Sequence, residues 1–166
     1  MLKTMAYFRH MVATSLIHDI LIQCNAVISD HYGGRVGLTC LPDLLVIAKN
    51  EASRYVGLLL LHFAEHTRAW EIGAMATLNG HDREEMLEIL VNGAHDAIRA
   101  LQARGEFASK LWLVKRVREV DSVRQDLLSS MGFDRPSSWM DSVLSNDGYV
   151  PFDPFDTILM KRVIQA

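Results

Sequence analysis

The chain has 166 residues, of which 49% are hydrophobic and 22% charged, and its formal net charge is −3. A chain of this length can bury most of its apolar surface in one core, so we expect a single domain over residues 1–166. The small negative charge argues against nucleic acid or membrane partners, and no apolar run is long enough to span a membrane. Cys24 and Cys40 lie in apolar contexts, which predicts buried thiols and a reducing, cytoplasmic location.

The N-terminal part predicts a helix between short strands. Tyr7 to Val12 predicts a first strand. From Thr14 or Ser15, either of which is a competent helix cap, apolar residues recur at helical spacing until the glycine pair at 33–34. The apolar runs LLVIAKN and SRYVGLLLLHF, separated by a turn at 49–52, predict a strand pair, although the second run also fits a helix.

The stretch WEIGAMATLNGHDREEMLEILVNGAHDAIRAL, residues 70–101, has the clearest pattern in the chain. Residues 70–78 predict an apolar strand. After a turn, apolar residues recur every three or four positions, as on one face of a helix: Met86, Leu87, Leu90, Val91, Ala94, Ile98 and Leu101. A strand that leads into a helix in this way presents unpaired N–H groups at the helix start, where phosphate groups are often bound.

The C-terminal part continues the alternation of strands and helices. Residues 110–120 predict a strand, and Asp121 is a plausible cap for a helix that stops at Gly132-Phe133. A loop-rich stretch from Arg135 to Gly148 follows, and residues 157–164 predict a closing strand. The order of elements predicts an α+β domain with a mixed sheet covered by helices.

Three segments carry a resemblance to a known family: the strand WEIGAMATL, the helix end SSMGF and the closing strand TILMKRVI. In this order they resemble the GNAT superfamily of acyl-CoA-dependent N-acetyltransferases, over most of the chain. The resemblance implies one GNAT-like domain with a mixed, mostly antiparallel sheet flanked by helices. It also implies that acetyl-CoA, as co-substrate, lies along the strand ending at Leu78, with its pantetheine pairing to backbone near Thr77 and Leu78.

The resemblance also assigns roles to residues. Backbone N–H groups at the start of the next helix would hold the pyrophosphate of acetyl-CoA: Arg83, Glu84, Glu85, Met86 and Leu87. Glu71 matches a glutamate that many family members use, through water, to deprotonate the amine, and His62 is a second candidate base. Each residue also has a non-catalytic interpretation. Glu71 would face solvent or pair with Arg68, and His62 would be a structural histidine at the end of a strand.

Several positions depart from the family pattern. Its loop has small residues where this chain has Met86 and Glu88, and its usual tyrosine is replaced by Leu128. Side chains and negative charge at the helix start would oppose close approach of a phosphate. Asp82 and Glu85 equally fit a capping box, in which the helix start satisfies itself.

Two functions follow from these observations. One is an N-acetyltransferase in which a small-molecule or protein amine attacks the thioester directly; the other is a catalytically inactive GNAT-like domain that serves as a binding or structural module. A homodimer is left open. The string His62 to His66 fits the H-x-x-E-H pattern of zinc peptidases, but that pattern needs a helix where a strand is expected, so no metal site is predicted.

Overall fold

A computed structural model describes residues 1–33, 41–65, 68–135 and 157–166. Its elements, in chain order, are β1 (Lys3–Phe8), α1 (Thr14–Gln23), α2 (Asn25–Tyr32), β2 (Leu44–Lys49), β3 (Tyr55–Ala64), β4 (Ala69–Thr77), α3 (Arg83–Ala103), β5 (Lys110–Arg118), α4 (Ser122–Ser130) and β6 (Thr157–Gln165). Six strands form one sheet in the order β1-β2-β3-β4-β5-β6. Pairing is antiparallel for β1–β2, β2–β3 and β5–β6 and parallel for β4–β5, which confirms the predicted α+β class with a mixed sheet.

The described chain divides into two compact units, Met1–His62 with Gly73–Ala97 and Phe63–Ile72 with Ile98–Ala166. In the first unit, Leu45 and Ile47 of β2 pack with buried residues of α1 and α2. The alternate residue Val46 lies close to Gly93 of α3. Because successive strand residues face opposite sides, a strand covered by helices on both faces is apolar at every position, and Leu44–Ala48 are fully buried.

In the second unit, aromatic rings and one buried amide fix the ends of the elements. Phe63 and Trp70 have ring centroids 4.9 Å apart, and Phe107 packs edge-on against Trp70. Gln102, which is 5% exposed, donates from Nε2 to the carbonyls of Ala108 and Ile164 at 2.9 and 3.0 Å. These two bonds from the buried NH2 group tie the end of α3 to β6.

Two expectations for the N-terminal part are wrong. The first strand is Lys3–Phe8 rather than Tyr7 to Val12, because Met11 N–H bonds back to the Phe8 carbonyl in a turn. The single helix is two helices that meet at Cys24, and Ala13 precedes the first without a side-chain cap. The apolar spacing runs through the break because residues on both sides of it face the same core.

The predicted start and stop of the helix after residue 121 are confirmed, and α3 ends in the same way. The Asp121 carboxylate accepts a hydrogen bond from Arg124 N–H at 3.0 Å, as an N-cap does. Gly105 and Gly132 have φ of +75° and +85° after the ends of α3 and α4, which is the left-handed stop that glycine permits. Strands β2 to β5 and helix α3 match the predicted segments to within a few residues, and the second apolar run is a strand.

Met86 reaches from the first turn of α3 into the first unit's core, where it is 1% exposed. A Cβ placed on Gly57 of β3 would lie 2.5 Å from Met86 Sδ and 3.0 Å from its Cγ. We therefore expect Gly57→Ala to lower the free energy of unfolding by about 1–3 kcal/mol, the usual effect of overpacking. Chemical denaturation measures this change.

The Met86→Ala background provides the control. Removing the methionine side chain opens the space that the new methyl group needs, so Gly57→Ala should cost much less there. Equal costs in the wild type and in Met86→Ala would contradict the contact.

Candidate functional site

The two backbone edges of strand β4 have different hydrogen-bond partners. Leu78 N–H, just beyond the strand, donates to the Val56 carbonyl of β3 at 2.9 Å. Backbone groups of successive residues point to opposite edges, so Met75, Thr77 and Asn79 present theirs away from β3. In the second unit, the edge opposite β3 pairs with β5 through Ala69–Glu71. The groups of residues 75–79 on that edge are bonded by side chains instead.

Those side chains come from the end of α2. Thr77 N–H donates to His31 Nδ1 at 3.0 Å, and Tyr32 OH donates to the Met75 carbonyl at 2.8 Å. The His31 and Tyr32 rings pack edge to face with centroids 4.7 Å apart. Because Nδ1 of His31 accepts a hydrogen bond, it carries no proton in this arrangement.

Asp30 extends the same set of contacts. Its carboxylate accepts from Asn79 N–H and from the Asn79 side-chain amide, both at 2.6 Å. Three consecutive residues of α2 therefore bond three alternate residues of one backbone edge. The Thr77 hydroxyl is buried beside these contacts and bonds none of the described residues. The sequence did not single out Asp30, His31 or Tyr32, because the pairing joins segments 43–49 residues apart.

Glu71 is paired, but not with Arg68. Its carboxylate lies 2.9 Å from Nε of Arg116 on β5, with 14% of its side chain exposed and 21% of the arginine's. Arg68 has a positive φ of 51° at the turn before β4 and is exposed. The parallel register that aligns Glu71 with Val114 brings residues just beyond Val114 near the carboxylate. The ion pair holds the carboxylate in one orientation.

Lys115 lies beside this pair and was not predicted. Its ammonium Nζ donates to the Ile72 carbonyl at 3.3 Å. The pKa of Lys115 is lowered from 10.5 to about 8, first by burial, then by the nearby Arg124 cation, against the attraction of Glu71. Nothing in the local sequence separates Lys115 from an exposed strand lysine, since its burial depends on α4 and β4.

His62 lies on β3 and is half-buried. A Cβ on Gly73 of β4 would be 3.3 Å from its ring carbon Cδ2 and 3.6 Å from Nε2. The imidazole therefore packs over Gly73, which has no side chain to displace it. This contact explains why a glycine stands in WEIGAMATL: a side chain at position 73 would take the space of the His62 ring.

The start of α3 is largely bonded by Asp82. Its carboxylate Oδ1 accepts from Glu85 N–H at 2.8 Å, and its carbonyl accepts from Met86 N–H at 3.0 Å. Glu84 and Glu85 add negative charge to the first turn. An open groove of about 550 Å³ beside it is lined partly by His81, Asp82 and Glu85. Two carboxylates in that lining oppose a bound phosphate, so the groove itself does not fit the pyrophosphate.

The positions that depart from the family pattern have structural roles or face solvent. Met86 is 1% exposed and lies against Gly57 of β3, and Glu88 is exposed. Leu128 is 1% exposed in the core of the second unit.

The Cys24 thiol is buried, which raises its pKa to about 12 and keeps it protonated. Cys40 lies outside the described residues.

The zinc-peptidase reading of His62 to His66 does not fit. Phe63 and Ala64 continue β3, so the string does not form the helix that would align two histidines. His66 lies outside the described residues. No group of three metal-binding side chains occurs in the part of the chain that the structure describes, and none of its helices there is long and apolar enough to cross a membrane.

The fold is that of the GNAT N-acetyltransferases. The chain is 13% identical to an acyl-CoA N-acyltransferase from Pseudomonas aeruginosa, with a TM-score of 0.58 over 98% of this chain and 99% of that one. It is 12% identical to the catalytic domain of the Tetrahymena GCN5 histone acetyltransferase in complex with coenzyme A, with a TM-score of 0.56 over 99% and 94%. The Escherichia coli ribosomal-protein-S18-alanine N-acetyltransferase gives 15% identity and 0.52 over 100% and 96%.

No protein-family model and no curated sequence matches the chain. The solved structures therefore carry the comparison, and at these identities they establish the fold. The resemblance stated from three sequence segments is confirmed at that level.

The lowered pKa of Lys115 makes stability depend on pH. Between about pH 8 and 10.5 the unfolded chain binds more protons at this side chain than the folded chain, so the free energy of unfolding rises with pH in that window. Below it, the folded state carries the full cost of a buried ammonium. Lys115→Met removes this titration and, at every pH, the hydrogen bond to the Ile72 carbonyl, so we expect its stability relative to the wild type to fall by about 2 kcal/mol between pH 7 and pH 10.

Lys110→Met is the matched control, because Lys110 is an exposed lysine on the same strand. Denaturant unfolding at several pH values measures both variants. A stability difference between Lys115→Met and the wild type that is the same at pH 7 and at pH 10 would contradict the assignment.

Proposed function

We propose that this protein is an acyl-CoA-dependent N-acyltransferase that transfers an acetyl group to an amine. The observation that carries the proposal is the fold, which the chain shares over nearly its whole length with acyl-CoA N-acyltransferases. Glu71 supports it, since a half-buried carboxylate stands on the strand where the family resemblance expects a base. We place the enzyme in the cytoplasm, the location that the apolar sequence contexts of Cys24 and Cys40 predict.

In the proposed reaction the amine nitrogen attacks the thioester carbonyl carbon, the carbon–sulfur bond breaks, and coenzyme A leaves as its thiolate. Glu71 accepts the proton that the substrate ammonium must lose, directly or through water. Arg116 keeps the carboxylate oriented for this step. Leu128 offers no phenol, so the thiolate takes its proton from solvent. His62, half-buried over Gly73, is the second candidate for the base.

For the co-substrate, the backbone near Thr77 and Leu78 is the proposed pantetheine contact. Leu78 N–H is already bonded to Val56, so Thr77 N–H is the donor that faces the ligand's edge. At the helix start, Asp82 takes the amides of Glu85 and Met86, and the amide of Leu87 lies further into the helix. Among the described residues this leaves the amides of Arg83 and Glu84, with the Arg83 side chain, as the strongest candidates for the pyrophosphate.

A second candidate function is a non-catalytic module of the same fold. Its support is that side chains of the chain itself bond the groups that a co-substrate would use: Asp82 at the helix start, and His31 and Tyr32 on β4. The acceptor in either case is proposed only as an amine. The proteins of similar fold include enzymes named for a histone and for a ribosomal protein.

Thermal unfolding with acetyl-CoA and an acyl-transfer assay separate the two functions. A ligand at a hundred times its dissociation constant stabilises by about 2.7 kcal/mol, a shift of several degrees in Tm. Glu71→Gln should keep this shift but lower turnover at least about 100-fold, as expected when a general base is lost. Turnover is measured as coenzyme A release with a lysine peptide, a peptide with a free α-amino group and a polyamine.

Glu106→Gln, an exposed glutamate after α3, is the control and should leave both readouts unchanged. If millimolar acetyl-CoA leaves Tm unchanged, the enzyme function is contradicted and the non-catalytic module is favoured. Full turnover in Glu71→Gln would remove Glu71 from the chemistry and direct the same test to His62.

A further inference from the structure

We propose that the end of α2, residues Asp30, His31 and Tyr32, is an autoinhibitory latch that occupies the co-substrate edge of β4 and must release before acyl-CoA binds. The identity of the ligand rests on the proposed function. The latch itself rests on the contacts of α2 with Met75, Thr77 and Asn79.

The register of the contacts shows that the latch covers one continuous edge. Tyr32 bonds residue 75, His31 bonds residue 77 and Asp30 bonds residue 79, so the chain order of α2 runs opposite to that of the strand. Positions 75, 77 and 79 are the alternate residues whose backbone groups point to the same side. Three neighbouring side chains thus replace the backbone partner that a strand edge would otherwise take from another strand or an extended ligand.

The latch and an extended ligand compete for the same backbone groups of β4. An N–H group donates one good hydrogen bond, and that of Thr77 is already given to His31 Nδ1 at 3.0 Å. An extended ligand with amide groups, such as pantetheine, pairs with a strand edge through the same backbone groups. The two arrangements exclude each other at Thr77, so binding must displace at least the His31 side chain.

The latch is built to release. Tyr32 is 48% exposed, and the bonds between Asp30 and Asn79 lie at the surface. Water replaces the partners of exposed groups at little cost, so each such bond adds only modestly to the closed state. Because only open molecules bind, the apparent Kd is the intrinsic Kd divided by the open fraction, and opening does not require the fold to unfold.

The test measures coenzyme A and acetyl-CoA binding by calorimetry in the full chain. His31→Ala should lower the Kd for both ligands about 2- to 10-fold, the range that one modest hydrogen bond corresponds to, and Asp30→Ala/His31→Ala should lower it further. His18→Ala, an exposed histidine of α1, should leave Kd unchanged. An unchanged Kd in His31→Ala would overturn the latch, because His31 would then have no effect on binding. A raised Kd would also overturn it, because His31 would then contribute a contact to the ligand.

Amide hydrogen exchange gives a second readout without ligand. Thr77 N–H should exchange about 2- to 10-fold faster in His31→Ala than in the wild type, the same factor as the change in Kd, whereas Leu78 N–H, bonded to Val56, should stay protected in both. Equal exchange of Thr77 in both proteins would overturn the latch. If Thr77 is deprotected but neither protein binds either ligand, the acyl-CoA function fails, and with it the latch as a gate for acyl-CoA.

Discussion

The central constraint on this structure is that both backbone edges of β4 must find hydrogen-bond partners. A strand inside a sheet carries N–H and C=O groups on two sides, and a buried group without a partner costs about as much as a lost hydrogen bond. One side of β4 faces β3. On the other, β5 pairs with Ala69–Glu71, Lys115 bonds the carbonyl of Ile72, and α2 bonds residues 75–79. Side chains complete what strand pairing leaves open.

The same constraint gives the candidate site its chemistry. A strand edge completed by side chains is one that an extended ligand can take over, because side-chain partners are exchanged more easily than a neighbouring strand. The start of α3 follows the same rule, since Asp82 bonds the amides that a phosphate would otherwise bind. Near the β4–β5 pairing, Glu71 and Arg116 hold a carboxylate in place. The GNAT fold is thus present with the edge of β4 and the start of α3 both bonded by side chains of the chain itself.

Local patterns predicted most elements but little of the site. Periodicity identified α3, and the signals at Asp121 and Gly132 identified both ends of α4, because caps and stops depend on residues a few positions apart. The break at Cys24 was missed because the apolar spacing continues across it. The structural alternatives for Glu71 were solvent or Arg68, and its partner is Arg116, since the register between β4 and β5 is a tertiary property. The contacts of α2 with β4 leave no trace in spacing or composition.

The central claim is that the edge of β4 at Met75, Thr77 and Asn79 is a ligand-binding edge held closed by α2. The most direct measurement is a titration of the isotope-labelled protein with coenzyme A, followed by NMR at the backbone amide of Thr77 and the ring of His31. The account predicts that both signals shift together with one Kd, while the amide of Leu78, bonded to Val56, changes little. Saturable binding that leaves Thr77 and His31 unshifted would contradict it.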